Sequence, residues 1–465
     1  MTSAFDLVIT NGTLVTPQAT YAADVGIRDE KIAAIAAPGG LDTDAEDQLD
    51  ATGWHVLPGV IDGHVHFREP GLEYKEDFAS GSRSAVMGGV TTVLDMPNTL
   101  PTTSTGELVE HKRRLVEPKA YCDFGLYGLL VQESVEQLEP MARAGVVGFK
   151  CFLGQSVGSI PPPDDGRLLE GMRIIAGLGM RCGFHAENDE IMQHLIRKLR
   201  AAGRTDALAH VESRPVVAEV EAIQRVGLFA SHTACKIHIF HLSSGPGLRA
   251  VQEWRHRGVD ITCETAAHYC FLTSEEMRTL GPRLRINPPV REPGHAEVLL
   301  EALAAGHITS IATDHSPHLP SEKLHDDIWQ AVSGFAGVEI SLRLFLTYGV
   351  HAGRMSLAQL ARATSEGPAR AWGLYPRKGA LQVGSDADLT LVDLAAEDTI
   401  EAARLHGKNN MTPFEGRRTR GAAVATVVRG QVVMREGELR GPPRGRMLTR
   451  GGLTEAQTPP RVQAL

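Results

Sequence analysis

Two histidines one residue apart, His64 and His66, close the run Asp62-Gly63-His64-Val65-His66. In an extended strand residues two apart face the same side, so both imidazoles point to one place. Residues able to do chemistry recur after later apolar runs, in Gly148-Phe149-Lys150, His185-Ala186-Glu187, His241-Leu242-Ser243 and Asp314-His315-Ser316. Each alone has a plain structural reading: a histidine bonded to backbone carbonyls, or a lysine reaching solvent. Gathered together, four imidazoles, a lysine and a carboxylate need a shared partner, because buried polar groups are costly when unpaired. A divalent cation such as Zn2+ suits neutral imidazole and carboxylate. Lysine is not an ordinary metal ligand. Reaction of its neutral amine with CO2 gives a carbamate, an anion able to bridge two cations, and nearby positive charge favours the neutral amine. The residues permit that modification without requiring it.

The elements that must position these groups alternate along the middle of the chain. Short apolar runs at Val56–Asp62, Val90–Met96, Cys122–Val131, Val146–Leu153, Arg181–Glu187, Lys236–Ser243, Asp260–Glu264 and Ile308–Asp314 are separated by amphipathic helical stretches. Near-continuous apolar strands between helices predict a parallel sheet covered on both faces. Eight such units fit a closed (β/α)8 barrel, whose C-terminal strand ends form one rim; an open doubly wound sheet is the alternative. The ends of the chain alternate apolar and polar residues instead, at Asp6–Thr16, Ala22–Ile35, Asp47–Val56, Ala387–Leu394 and Ala422–Leu439, with turn signals at Asn11-Gly12, Arg28-Asp29 and Arg429-Gly430. These predict one small sheet built from both termini. The expected division is 1–55 and 381–440 for a β-sandwich, 56–380 for the barrel, and 441–465 for a Pro-, Gly- and Arg-rich extension, mobile or contacting another subunit.

Composition narrows the partners. A net charge of −9 without a basic cluster argues against nucleic acid or an anionic membrane surface. No apolar stretch reaches the roughly 18 residues of a membrane span, and Met1–Asp6 lacks the features of a signal peptide. The six cysteines show no Cys-x-x-Cys spacing, and several lie in apolar runs. A reducing, cytoplasmic setting is the expectation.

At the residues above, the chain resembles the amidohydrolase superfamily, and within it the cyclic amidohydrolases: dihydroorotase, allantoinase and hydantoinase. The likeness spans nearly the whole chain. It is carried by Pro58-Gly59-Val60-Ile61-Asp62-Gly63-His64-Val65-His66-Phe67-Arg68-Glu69-Pro70-Gly71, Asp95-Met96-Pro97-Asn98-Thr99, Gly148-Phe149-Lys150, His185-Ala186-Glu187-Asn188, Ile286-Asn287-Pro288-Pro289-Val290-Arg291 and Thr313-Asp314-His315-Ser316-Pro317-His318. The resemblance implies a (β/α)8 barrel with a small β-sandwich, two divalent metal ions and a homo-oligomer, dimer or tetramer. By position, His64, His66 and Asp314 would hold the more buried metal and His185 and His241 the more exposed one. Lys150, N6-carboxylated, would bridge them. Asp314 would also carry the proton from the attacking water to the departing amide nitrogen.

Which ring is opened depends on finer features. Dihydroorotases bind a substrate carboxylate through an Arg, an Asn and a His at the places of Arg68, Asn98 and His318, and Asn287 is a further candidate contact. An Arg fork with two neutral donors forms a carboxylate clamp. Other stretches, Arg214–Ile223 and Met411–Gly416, look more like allantoinases and hydantoinases. Hydantoinases typically place a Tyr five residues after the bridging lysine, where this chain has Gln155. The preferred expectation is a dihydroorotase-type activity, with allantoinase or hydantoinase as the runner-up. His268, in Cys263-Glu264-Thr265-Ala266-Ala267-His268-Tyr269, is left between a substrate contact and a structural one. A non-catalytic scaffold is the reading from another class; it predicts gaps in the ligand set, and all six positions are filled.

Overall fold

Within this computed structural model, residues 4–41, 44–154 and 160–449 are described; Gln155 and the extension beyond Thr449 lie outside them. The first terminal strands are β1 (Phe5–Val15), β2 (Thr20–Arg28), β3 (Lys31–Ala36), β4 (Ala45–Asp50) and β5 (His55–Pro58). Eight more follow: β6 (Val60–Val65), β7 (Val90–Asp95), β8 (Asp123–Leu129), β9 (Gly148–Phe152), β10 (Arg181–His185), β11 (Lys236–Ile239), β12 (Ile261–Thr265) and β13 (Ser310–Ile311). The last four are β14 (Leu389–Thr399), β15 (Arg418–Val428), β16 (Gln431–Arg435) and β17 (Glu438–Leu439).

Strands β6 to β13 form one sheet in sequence order, each pair parallel. This is the expected barrel, and it is nearly closed. Between its first and last strands, His66 N–H donates to the His315 carbonyl at 2.8 Å, and the buried Asp62 accepts from Thr313 N–H at 3.1 Å. Burial raises the Asp62 carboxyl to about 6, against the hydrogen bonds it accepts.

The first apolar run divides where a single barrel strand was expected. Val56 pairs with Leu391 in the terminal sheet, whereas Val60 pairs with Val90 in the barrel. Gly59 lies between them, and a Cβ there would stand 2.3 Å from Thr91 Oγ1 and 2.7 Å from Asp388 Cβ. Only glycine lets the chain pass so close from one sheet to the other.

The terminal strands form one nine-stranded sheet, ordered β17-β16-β15-β14-β5-β1-β2-β3, with β4 beside β1. Leu7, Ile9, Val25 and Ile27 from the N-terminus share a buried core with Leu389, Leu391 and Val427. The Arg429-Gly430 turn is present, with both residues at positive φ (44° and 75°). Asn11-Gly12 instead makes an irregularity inside β1, where the register shifts between Ile9 and Gly12. Asn11 adopts φ 58° and its N–H donates to Asp24 Oδ1 at 2.8 Å, so a bulge uses the conformation a turn would have used. Lys378 locks barrel to sheet, reaching Asp123 at the start of β8 (2.6 Å), Asp388 before β14 (2.5 Å) and Asp386 (3.0 Å). The first part of the extension also docks: Phe124 N–H donates to the Arg446 carbonyl, and Leu448 N–H to that of Phe124.

Candidate active site

His64 and His66 leave the end of β6 on one side, as the strand period requires, and both Nε2 atoms stand 3.2 Å from Asp314 Oδ1. The other ring nitrogen of each is committed. His64 Nδ1–H donates to Glu264 Oε1 at 2.7 Å, and His66 Nδ1–H to Asn98 Oδ1 at 2.8 Å. With each ring proton placed at Nδ1, the atoms meeting at Asp314 are lone-pair donors. They lie within 4.8 Å of one another in buried surroundings. Three converging acceptors repel unless a cation lies between them.

A second pair lies across the rim. His185 Nδ1 and His241 Nε2 are 2.9 Å apart, while His185 Nε2–H donates to Glu187 Oε2 at 2.9 Å. Burial would raise the Glu187 carboxyl, but Arg214 and then His185 outweigh it and hold it down to about 2. Lys150 is fully buried in the middle of β9, which runs on to Phe152 rather than ending at the lysine. Its Nζ has no hydrogen-bond partner among the described residues and rests 3.9 Å from the centre of the Phe240 ring. Burial pulls the ammonium down to about 7, with Asp314 and Glu264 opposing. A sealed, unpartnered amine that is easily neutral is what carbamate formation needs. His64, His66 and Asp314 thus form a group that could hold a cation, with the His185–His241 pair and the Lys150 amine buried nearby.

Three of the expected site residues hold left-handed backbone, Arg68 at φ 65°, His241 at 39° and Asp314 at 49°. Such strain costs roughly 1–3 kcal/mol per residue and persists where the surroundings over-determine it.

The expected substrate contacts are near one another but engaged. Arg68 is buried; its Nη2 donates to Ser316 Oγ at 2.5 Å and lies 3.0 Å from His318 Nε2. Lys75 Nζ donates to His318 Nδ1 at 3.1 Å, so Nε2–H donates to the Ser333 carbonyl at 3.0 Å. Burial and the nearby Arg68, Lys75 and Lys323 cations hold His318 neutral, far below the usual histidine range. Asn98 is turned onto His66, and the half-buried Asn287 accepts from Ser333 Oγ at 3.1 Å.

Two residues without a role in the sequence reading prove central. Glu264 is buried beneath His64, and its second oxygen accepts from His238 Nε2–H at 3.2 Å, while His238 Nδ1 meets Thr262 Oγ1 at 2.8 Å. Glu187 orients His185 as Glu264 orients His64. Carboxylates of this kind fix the tautomer and direction of metal-binding histidines. The signal for Glu187 was its position two residues from His185; for Glu264 it was a charged residue at the end of an apolar strand.

Comparison with known proteins agrees with this geometry. The model of the Amidohydrolase family matches residues 55–433. An allantoinase from Deinococcus radiodurans is 39% identical over 447 residues, covering 96% of this chain and 99% of that protein. An allantoinase from Solibacter usitatus is 40% identical over 438 residues, covering 93% and 94%. The solved L-hydantoinase (dihydropyrimidinase) from Arthrobacter aurescens superposes with a TM-score of 0.94 at 36% identity, covering 96% of this chain and 100% of that one. These names favour the runner-up reading of the sequence over the dihydroorotase preferred there.

Proposed function

The chain belongs to the amidohydrolase family, and from that premise we propose that it hydrolyses a ring C–N bond of a cyclic amide, allantoin being the favoured substrate. The observation carrying the reaction class is the meeting of the His64, His66 and Asp314 lone-pair atoms beside the sealed Lys150 amine. Two divalent ions, Zn2+ by the donor set, would supply Lewis-acid polarisation of the amide carbonyl and a water acidified toward neutrality. His64, His66, Asp314, His185, His241 and carboxylated Lys150 hold those ions. Glu264, Asn98 and Glu187 keep the imidazoles in the tautomers that binding needs. Asp314 takes the proton of the attacking water and returns it to the ring nitrogen as the C–N bond breaks.

Allantoin is favoured over dihydroorotate on two grounds. The allantoinases above align over almost the full chain. The dihydroorotate reading also needs Arg68, Asn98 and His318 to grip a carboxylate, and each already has an internal partner. A hydantoin is the second reading, carried by the similarity to L-hydantoinase. The six free, buried cysteines support a reducing, cytoplasmic compartment. The test is a hydrolysis panel of allantoin, 5-substituted hydantoins, dihydrouracil and dihydroorotate on metal-replete protein. Allantoin is expected to have the highest kcat/KM. Preference for dihydroorotate would overturn the substrate choice, and no ring opening at all would overturn the function.

A further inference from the structure

One buried polar group beside this site has no part in the ligand set. His268 lies on the short helix Ala267–Phe271, directly after β12, with 2% of its surface exposed. Its Nε2 has no hydrogen-bond partner among the described residues. The ring is clamped between Tyr269, at 4.2 Å between centroids, and the edge of Phe335 at 5.1 Å and 88°. Both neighbours are anchored: the Tyr269 hydroxyl donates to the Pro288 carbonyl at 2.7 Å, and the Phe335 carbonyl accepts from Ser316 N–H at 2.9 Å. His268 follows the C-terminal end of β12, the strand that carries Glu264. The Phe335 it packs against pairs with His315, the residue after Asp314, which places the ring at the rim of the site.

A buried donor or acceptor left unpaired is costly, and a ring held this firmly cannot turn away to find a partner. A cyclic ureide alternates N–H and C=O groups around its ring. With its scissile carbonyl at the metals, the remaining polar atoms still need partners once water is displaced. A neutral imidazole offers one donor and one acceptor, and burial keeps this one neutral at pH 7.

We propose that His268 is a substrate-contacting residue whose Nε2 hydrogen-bonds a polar ring atom of the cyclic amide away from the scissile bond. This inference rests on the cyclic-amide reading above. His318, another buried neutral histidine near the rim, has both nitrogens engaged, whereas His268 still has a bond to give.

Two variants separate the roles. His268→Phe keeps a flat ring between Tyr269 and Phe335 but removes the hydrogen bond; His268→Gln places an amide nitrogen near the position of Nε2. On the best substrate of the panel, His268→Phe should lower kcat/KM roughly 10- to 100-fold, the loss expected for an unpaired buried group. His268→Gln should recover most of it. Metal content and thermal midpoint should match the wild type in both. Activity of His268→Phe within twofold of wild type would overturn the proposal, as would loss of metal or of stability in both variants, which marks a structural residue. Failure of the cyclic-amide reading is seen separately, as wild-type protein that opens no ring on the panel, and the proposal falls with it.

Discussion

Glu264 offers the sharpest way to perturb the site without touching a ligand. Its two oxygens hold His64 Nδ1–H at 2.7 Å and His238 Nε2–H at 3.2 Å. Burial pushes its carboxyl up, with the charge of Lys150 pulling it back, so its ionisation depends on the cations gathered above it. Glu264→Gln keeps the shape and leaves the amide oxygen to accept from His64. The amide nitrogen then faces His238, which can shift its proton to Nδ1 and donate to Thr262 Oγ1 at 2.8 Å. All hydrogen bonds survive and only the charge is lost. The difference between charged and neutral hydrogen bonds is about 1 kcal/mol, and orienting partners of metal ligands are worth roughly 10- to 100-fold in affinity. Glu264→Gln is therefore expected to weaken metal binding about tenfold with little change in metal-free stability. Glu264→Leu strands two buried donors at about 1–3 kcal/mol each and should also lower the thermal midpoint. Chelator competition gives the affinities, and unfolding of metal-stripped protein gives the stabilities. Wild-type affinity in Glu264→Gln would mean that Glu264 acts as a neutral acid, and the carboxylate–histidine reasoning would then be wrong.

Lys150→Met should bring metal content from about two ions per chain to one or none and abolish turnover, while the metal-free protein is stabilised by about 1 kcal/mol or more because an unpaired buried amine is removed. Destabilisation of the metal-free form would count against the unpartnered placement of Lys150. Gly183→Ala places a Cβ 2.1 Å from Phe240 Cε2, the ring beneath Lys150 and His64; overpacking should cost about 1–3 kcal/mol and lower kcat with it, measured by denaturant unfolding and steady-state kinetics. Asp386 is held below the usual aspartate range: burial would raise it, but Lys378 and Lys31 outweigh that. A depressed folded-state pKa contributes stability above the unfolded value of about 3.9, lost as pH falls through the folded value. Asp386→Asn should thus cost about 1.5–3 kcal/mol near pH 7, with the gap to wild type closing below pH ~4; a gap independent of pH would exclude the ion pair as its source.

Residue type and local period already determined much of this protein. Eight apolar runs separated by helices imply a barrel, because a strand buried on both faces must be apolar nearly throughout. The two-residue period brings His64 and His66 together, and a polar residue within or just after an apolar strand marks the site at Lys150, His185 and His241. Tertiary structure decided what local pattern cannot encode. The split of the first run at Gly59 follows from contact with Thr91 and Asp388, and the Asn11-Gly12 bulge from a bond to Asp24. Glu264 is 200 residues from the histidine it orients, and no periodicity links them. The anticipated carboxylate clamp shows the difference most clearly. Arg68, Asn98 and His318 have the right chemistry, yet a side chain's capacity depends on which of its hydrogen bonds are still free, and that is settled only when Ser316, His66, Lys75 and Ser333 arrive from distant segments to claim them.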